Sequence, residues 1–339
     1  MIIYIYITDI IYLQRKGGAM ANIKDIARLA GVSASTVSRV INQSGYVNEK
    51  TRITIEKIMK QLDYVPNRNA VSLKTGRTGF LGIVAPYFND SMNLLLSHFT
   101  MAAQKEGYNI SLFMTLNDKN KEIQAFEMLR RKQIDAVLLL IRLNEWSVLE
   151  QYAKYGPVVT WQRLDSDIIH SVYMNQYDGY TLALEHLYKK GRRKIVNLYG
   201  NLESLNTRSR MKAYEDFCKK YNIHYNENFH GIASVKNGEN MAQWWLKQKE
   251  KPDAFATLSD SVAAGLFTKA QEYGLDIPRD FSVMGFDDIE ISRLLKLTTI
   301  HYPIDLQAKN AFIIIDNILN NKNTPSFPLS FHLVERKST

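Results

Sequence analysis

The sequence predicts a two-part molecule, a small all-α head followed by an α/β core built on two parallel sheets. Three observations predict it. Short amphipathic helices joined through glycine turns fill roughly residues 20–65, and from Phe80 short apolar runs alternate with amphipathic helical stretches. The 339 residues also exceed what one hydrophobic core usually serves, while 45% apolar and 23% charged residues are ordinary for a folded chain.

Residues 1–19 stand apart from both parts. Ile2 to Leu13 is nearly all Ile and Tyr, with Arg15 and Lys16 after the apolar run, so it lacks the positive leader of a signal peptide and is too short to span a bilayer. Ile and Tyr are spelled by A/T-rich codons, and Lys16, Gly17 and Gly18 can be spelled AAAGGAGG, a ribosome-binding sequence just ahead of Met20. Residues 1–19 are therefore expected to be translated upstream DNA, a mis-assigned extension, with the natural start at Met20. The single cysteine, Cys218, excludes an internal disulfide and Cys-rich zinc patterns and points to the reducing cytoplasm.

The first helix is read from "IKDIARLAG", with Ile23, Ile26, Ala27 and Ala30 at i, i+3, i+4, i+7 and Gly31 as its stop. Ser33 then caps a second helix whose inward face is Val37, Val40 and Ile41. Its other face, Ala34, Ser35, Ser38, Arg39 and Asn42, is small, polar and carries one guanidinium. A helix that lies in a major groove roughly 12 Å wide, with its N-terminal end against base edges, needs such a face. Charge agrees with this reading. Between Ala21 and Thr78 ten basic residues oppose four acidic ones, so this stretch holds an excess of six of the chain's net +9. A localised basic field is what a phosphate-binding module presents. A third helix from about Asn48, with Ile55, Ile58, Met59 and Leu62 on one side, closes the small core, giving a DNA-binding head over 20–65. Residues 66–79 follow as a Pro-started, Gly-ended linker containing one short helix, Asn67 to Leu73.

In the core the strand candidates are "FLGIVAP", "YNISLFMT", "DAVLLLI", "PVVTWQ", "KIVNLYG", "DAFATLSD" and "FSVMGFDD". Helices are expected at Leu94–Glu106, Lys121–Arg131, Tyr180–Lys190, Met211–Lys220 and Val262–Tyr273. Functional residues of open parallel sheets lie at the carboxyl ends of strands, which singles out Pro86, Trp161, Gln162, Ser259, Asp287 and Asp288. No GxGxxG or GxxxxGK[ST] occurs, and no His or Glu pair has metal spacing; His186 and His301 are expected on the surface or in a second layer. Asp287 and Asp288 are adjacent on a strand end and so point opposite ways, which argues against a glycosidase pair and for a polar clamp on a ligand. No enzyme is expected, and neither cofactor nor metal.

Several stretches together carry a resemblance. "KDIARLAGVSASTVSRVIN", "YVPNRNAVSLKTGRTGFLGIV", "YDGYTLALEHLYKKGRRKIVNLYG", "RSRMKAY", "LSDSVAAGLF", "DFSVMGFDDIEISR", "LTTIHYP" and "LVERKST" occur in an order that resembles the LacI/GalR family of bacterial transcriptional regulators, from about Ala21 to Thr339. The resemblance implies a helix-turn-helix head, a hinge helix, and a periplasmic-binding-protein-like core over 80–339 with an effector between two subdomains. The N-terminal subdomain would be residues 80–161 with 291–321, and the C-terminal one 163–290 with 322–339. The first motif is highly specific; the later ones persuade through their order.

It also implies roles. Ala34, Ser35 and Arg39 fall where the family reads bases, Leu73 where its hinge wedge enters the minor groove, and Lys74 where some members touch that groove. Lys24, Ser33, Thr36, Ser38, Asn42, Asn67 and Ala70 complete the expected DNA-binding set. In the cleft, Arg208 and Asp287 are expected to clamp a polar effector, with Trp161 and Tyr302 as aromatic faces and Ser259 and Gln162 as hydrogen-bond partners. Tyr87, Asp90, Met92 and Met174 would line the rest. A saccharide is the first expectation, and a nucleobase or sugar phosphate the alternative. The implied protein is a dimeric repressor of carbohydrate-utilisation genes on a near-palindromic operator, without membrane contact. The sequence departs from the family at Asp90-Ser91-Met92, where Asn-Pro-Phe is usual, at Gln162, where an acid is usual, and at Leu258-Ser259-Asp260, where Ala-Asn-Asp is common. An exported sugar-binding protein would share the core but has no use for the basic head. An enzyme with a DNA-binding head would need a nucleophile, metal or phosphate loop that the sequence lacks.

Overall fold

Asn22 begins the head by holding both ends of a capping box: its side chain accepts from the Asp25 amide while the Asp25 carboxylate accepts from the Asn22 amide. The structure, a computed structural model, describes residues 21–42, 44–65, 76–164 and 166–339. Helix α1 (Ile23–Ala30) ends on Gly31, whose φ of 65° is the left-handed cap that glycine adopts without a Cβ penalty. Helix α2 (Ala34–Ile41) starts from Ser33, and α3 (Glu49–Gln61) from Asn48. The three enclose Ile26, Ala27, Leu29, Val37, Val40, Val47, Ile55 and Ile58. Leu29 is buried where the spacing favoured Ala30, which lies at the edge of that core with Ile41. The expected extension 1–19 and the linker helix 67–73 lie outside the described residues, and the chain divides into two units between Thr78 and Gly79.

The second unit holds two parallel sheets. In the first, β1 (Phe80–Ala85) is flanked by β2 (Asn109–Met114) on one side, and β3 (Ala136–Leu139), β4 (Val158–Thr160) and β5 (His170–Ser171) follow on the other, giving the order β2-β1-β3-β4-β5. Helices α4 (Asp90–Lys105) and α5 (Lys119–Arg130), the one-turn α6 (Trp146–Leu149) and a 3-10 turn at Glu150–Tyr155 connect these strands. Leu81, Ile83, Val84, Val137, Leu138, Leu139, Val158 and Val159 are fully buried, as expected of parallel strands covered on both faces.

Helix α7 (Gln176–Lys189) enters the second sheet, where β6 (Ile195–Leu198), β7 (Asn228–Phe229), β8 (Ala254–Ala256) and β9 (Ser282–Met284) run in the order β7-β6-β8-β9. Helices α8 (Leu205–Tyr221), α9 (Val235–Lys247) and α10 (Asp260–Glu272) connect these strands. After α11 (Glu290–Leu294), β10 (Thr299–His301) pairs antiparallel with β11 (His332–Val334), and α12 (Ile304–Asn320) returns to pack on α4.

The subdomain boundaries differ from those expected. Residues 163–171 stay with the first sheet, because β5 pairs with β4. Residues 291–301 stay with the second, because Thr298 and His301 bridge to Met284 and Asp287 and α11 packs on α10. The chain therefore crosses near Val172–Asn175 and again near Tyr302–Pro303. The tail begins along α12, where Asn310 holds the Phe327 backbone, and crosses back as Phe331 packs over Gly179 on the way to β11. All seven apolar runs became strands. The two-residue strands β5 and β7 were missed because so few residues show no periodicity.

Candidate functional site

The head presents one polar face, built by its caps. Ser33 Oγ accepts from the Thr36 amide at 3.1 Å and also contacts the Ser35 and Thr36 hydroxyls at 2.7 and 2.9 Å. Ser33 and Thr36 are thereby occupied in fixing where α2 begins. Ala34 and Ser35 in the first turn, Arg39 one turn on and Asn42 at its end are exposed, with Ser38 half-buried and bonded through Oγ to the Asn42 amide. Arg39 makes no ion pair or side-chain hydrogen bond among the described residues, although five donors sit on its guanidinium. Its stem packs beside Gly45, whose φ of 70° turns the chain toward α3. Lys24 is exposed on α1. The arrangement offers hydroxyl, amide and guanidinium groups to an outside partner while the apolar side of the same helix is shut into the core. Asn67, Ala70, Leu73 and Lys74 lie outside the described residues.

The core has a second polar concentration where the carboxyl ends of the two sheets meet. Asp287, immediately past β9, has φ 109° and is 7% exposed, and its Oδ2 accepts from Ser91 Oγ on α4 at 2.8 Å. Burial, with the Asp260 carboxylate adding to it, pushes the Asp287 carboxyl up to about 7 against the opposing pull of Arg210 and Ser91. Its neighbour Asp288 turns away to Arg336 at 2.6 Å and His301 at 3.1 Å, so the two do not share a site. Asp260 is fully buried behind them, bonded to the Thr299 hydroxyl and the Ile289 amide, and is structural.

The cation beside Asp287 is Arg210, not Arg208. Arg208 is exposed and pairs with Glu203 at 2.9 Å and the Leu202 carbonyl at 3.0 Å. Arg210 is 2% exposed, lies 3.9 Å over the Phe286 ring, and donates to Gln176 Oε1 and the Leu258 carbonyl. Its Nη2 takes no partner among the described residues. Burial pushes the guanidinium down and Asp287 pulls it back. A signal for this existed in the sequence: Arg210, Ala213, Tyr214 and Phe217 fall at i, i+3, i+4, i+7 and are the buried face of α8. Gln176 and the two serines Ser91 and Ser261 were also missed.

The remaining candidates divide. Trp161, half-buried, donates from Nε1 to the Leu140 carbonyl at 2.7 Å, and Gln162 accepts from the Arg142 amide at 2.9 Å, so both line the mouth of the first sheet. Ser259 caps α10, and Asp90 accepts from Ser261 across the cleft. Tyr87 is exposed. Three expectations fail. Met92 is 2% exposed and packs in the core, its own backbone amide donating the helix-capping bond to Asn89 Oδ1 at 2.9 Å. Tyr302 is buried and stacked on Phe331 at 5.3 Å, so its ring is taken up by the protein's own packing; burial lifts its phenol to about 12. Met174 lines a separate groove with Leu329, Ser330 and Phe331 at the crossovers. His186 is buried, in a second layer rather than on the surface, both of which were expected, and bonds Thr339 Oγ1 at 2.7 Å. Among the described residues no group of three or more His, Cys, Asp or Glu side chains is placed to hold a metal, and no helix is long and apolar enough to cross a membrane.

Comparison with known proteins agrees with both halves. Residues 22–67 match the bacterial regulatory proteins of the lacI family, and residues 184–339 match the periplasmic binding protein-like domain. The chain is 30% identical over 328 residues to the HTH-type transcriptional regulator YkvZ of Bacillus subtilis (strain 168), covering 94% of this chain and 100% of that protein. It is 32% identical over 336 residues to the HTH-type transcriptional repressor PurR of Klebsiella pneumoniae (strain 342), covering 94% and 97%. Among solved structures, the lac repressor dimer bound to operator and the anti-inducer ONPF superposes with a TM-score of 0.82 at 25% identity, covering 94% of this chain and 99% of that one. The helical head, the paired parallel sheets and these full-length relatives lead to one conclusion: the chain belongs to the lacI family of bacterial regulatory proteins and is a DNA-binding transcriptional regulator.

Proposed function

We propose that the protein is a homodimeric repressor that reads a near-palindromic operator with α2 and releases or holds it according to a small polar effector in the core cleft. The observation that carries the first half is the Arg39 guanidinium, without an ion pair or side-chain hydrogen bond among the described residues, on the exposed Ala34–Ser35–Arg39 face of a capped helix. Arginine is the commonest bidentate partner of guanine in the major groove. The lac repressor structure, described as a dimer on operator, supports the pairing of two heads. So does the first sheet's edge: Leu112, Met114 and Leu116 are 47%, 39% and 63% exposed on or beside the edge strand β2, with Met101 64% exposed on α4. Exposed apolar edges invite pairing, and a second copy of the chain would cover this one. Binding to duplex DNA should fall by orders of magnitude between about 50 and 200 mM salt; a flat response would reject the reading.

For the effector, Asp287 as acceptor and the unused Nη2 of Arg210 as donor match the neighbouring hydroxyls of a saccharide, with the Trp161 ring for its apolar face. The same ring would stack a nucleobase, which is the second reading. Carbohydrate-utilisation genes as targets follow from the saccharide reading and share its fate. Thermal-shift screening of the protein against sugars, sugar phosphates and nucleobases separates these, since a bound ligand raises stability by RT ln(1 + [L]/Kd). The shift should vanish in Asp287→Asn and survive in Arg208→Ala.

A further inference from the structure

We propose that Asp90 and Ser91, at the start of α4, form with Ser261 and Asp287 a two-point latch that closes the cleft of the ligand-free protein, so that an effector binds by taking over the place of the Ser91 hydroxyl. This deepens the reading of the cleft as an effector site and rests on it. Ser91 Oγ donates to Asp287 Oδ2 at 2.8 Å, and Ser261 Oγ donates to Asp90 Oδ2. In each bond one partner belongs to the first sheet's subdomain and the other to the second's, 196 and 171 residues apart in sequence. The two bonds run in opposite senses, hydroxyl from α4 to carboxylate of the second subdomain in one and the reverse in the other. Neither can persist if the cleft opens by more than the length of a hydrogen bond.

Helix ends and carboxylates meet at the latch. Asp90 is the first residue of α4 and Ser261 the second of α10, so the amino ends of two helices, each a partial positive charge, approach one another. Asp90 lies between them, and Asp287 receives a hydroxyl from the same first turn of α4. With Asp260, the first residue of α10, three carboxylates gather at these two helix ends. Hydroxyl-to-carboxylate bonds are the stronger, charge-assisted kind. Asp90 and Ser91, one partner in each bond, stand where this chain departs from the usual family pattern.

An effector hydroxyl on Asp287 then replaces the Ser91 hydroxyl like for like, and Ser91 acts as an internal competitor that sets which ligands succeed. Removing both serine hydroxyls should shift the ratio of open to closed protein by tenfold or more, the effect of losing charge-assisted hydrogen bonds.

The test uses the ligand-free full chain. Spin labels at Lys121→Cys on α5 and Lys236→Cys on α9, both exposed, in a Cys218→Ser background and diluted with unlabelled protein, report the distance between the subdomains by pulsed dipolar spectroscopy. The labelled parent should give one narrow, short distance. Ser91→Ala with Ser261→Ala should move most of the population to longer distances, and Ser91→Thr, which keeps the hydroxyl, should restore the short one. An unchanged distribution in the double variant, or an open parent, overturns the latch. The measurement needs neither operator nor effector, so failure of the effector reading, seen as no thermal shift with any ligand class, is scored separately.

Discussion

Two residues apart on one helix, Arg208 and Arg210 have opposite fates, and the reason is angular. Two residues are 200° on an α-helix, so one of the pair faces solvent when the other faces the core. Motif order alone selected the wrong one, whereas the apolar periodicity of α8 would have selected Arg210. A buried charge is retained only with partners, and Gln176, the Leu258 carbonyl and the Phe286 ring supply them. Asp287 is less well compensated. Its carboxyl stands at about 7 in the folded chain against 3.8 for the free group. A raised carboxyl favours the protonated folded state, so its ionisation costs stability progressively from about pH 4 to pH 7 and fully above. Asp287→Asn should therefore melt at the parent's temperature near pH 4 and above it by a few kcal/mol of added stability at pH 8, measured by calorimetry across pH; an equal gap at every pH would contradict the assignment. Arg39→Ala belongs to the same scale. A base contact predicts a loss of about 1–3 kcal/mol that disappears on operators altered at one position, measured by binding to single-base variants, whereas a phosphate contact weakens all sequences alike.

At the scale of elements, what was legible in the sequence followed the strength of its periodicity. The three head helices, with Gly31, Ser33 and Asn48 as punctuation, and the seven strands on apolar runs were legible directly, because caps and apolar runs are local signals. Helix α12 was not among the expected helices, although Ile304, Ala308, Ala311 and Ile315 line its buried face. Helix α9 was missed for a physical reason. "VKNGENMAQWWLK" opens with Asn and Gly, residues that disfavour helix interiors, and only the tertiary contact explains them. A Cβ on Gly238 would stand 2.2 Å from the Val262 carbonyl oxygen of α10, and one on Gly265 would stand 2.1 Å from the Val235 carbonyl oxygen of α9. The two helices cross backbone to backbone. Gly238→Ala and Gly265→Ala should each cost about 1–3 kcal/mol or more of stability by overpacking, despite alanine's better helix propensity; a thermal melt in which either variant is stabilised would refute the crossing. The site was legible to the same degree: its strand-end location followed from topology, while Ser91 and Ser261 joined it only through contacts 196 and 171 residues long, which no local pattern encodes.

At the scale of the whole molecule, the basic excess and the exposed apolar strand edge lie in different units. The excess of six positive charges lies between Ala21 and Thr78, in the part that would meet phosphate, and the exposed Leu112, Met114 and Leu116 lie in the core, in the part that would meet a second copy. This separation lets one property be removed without the other. Leu112→Lys with Met114→Lys places two like charges on the same face of the β2 edge, and in a dimer that buries this edge they would be desolvated beside their symmetry mates, which is costly. The double variant should sediment as a monomer with an unchanged melting profile of the head. Its single head still carries Arg39 and the full basic field, so half-site binding survives. What it loses is the second contact made intramolecularly, where a tethered partner acts at an effective concentration of order millimolar, so full-operator affinity should fall by roughly 10²-fold or more. Gel-shift titration on full and half operators separates the outcomes: an equal loss on both would mean the substitutions damaged the head, and no loss on either would mean the protein reads its operator without this interface.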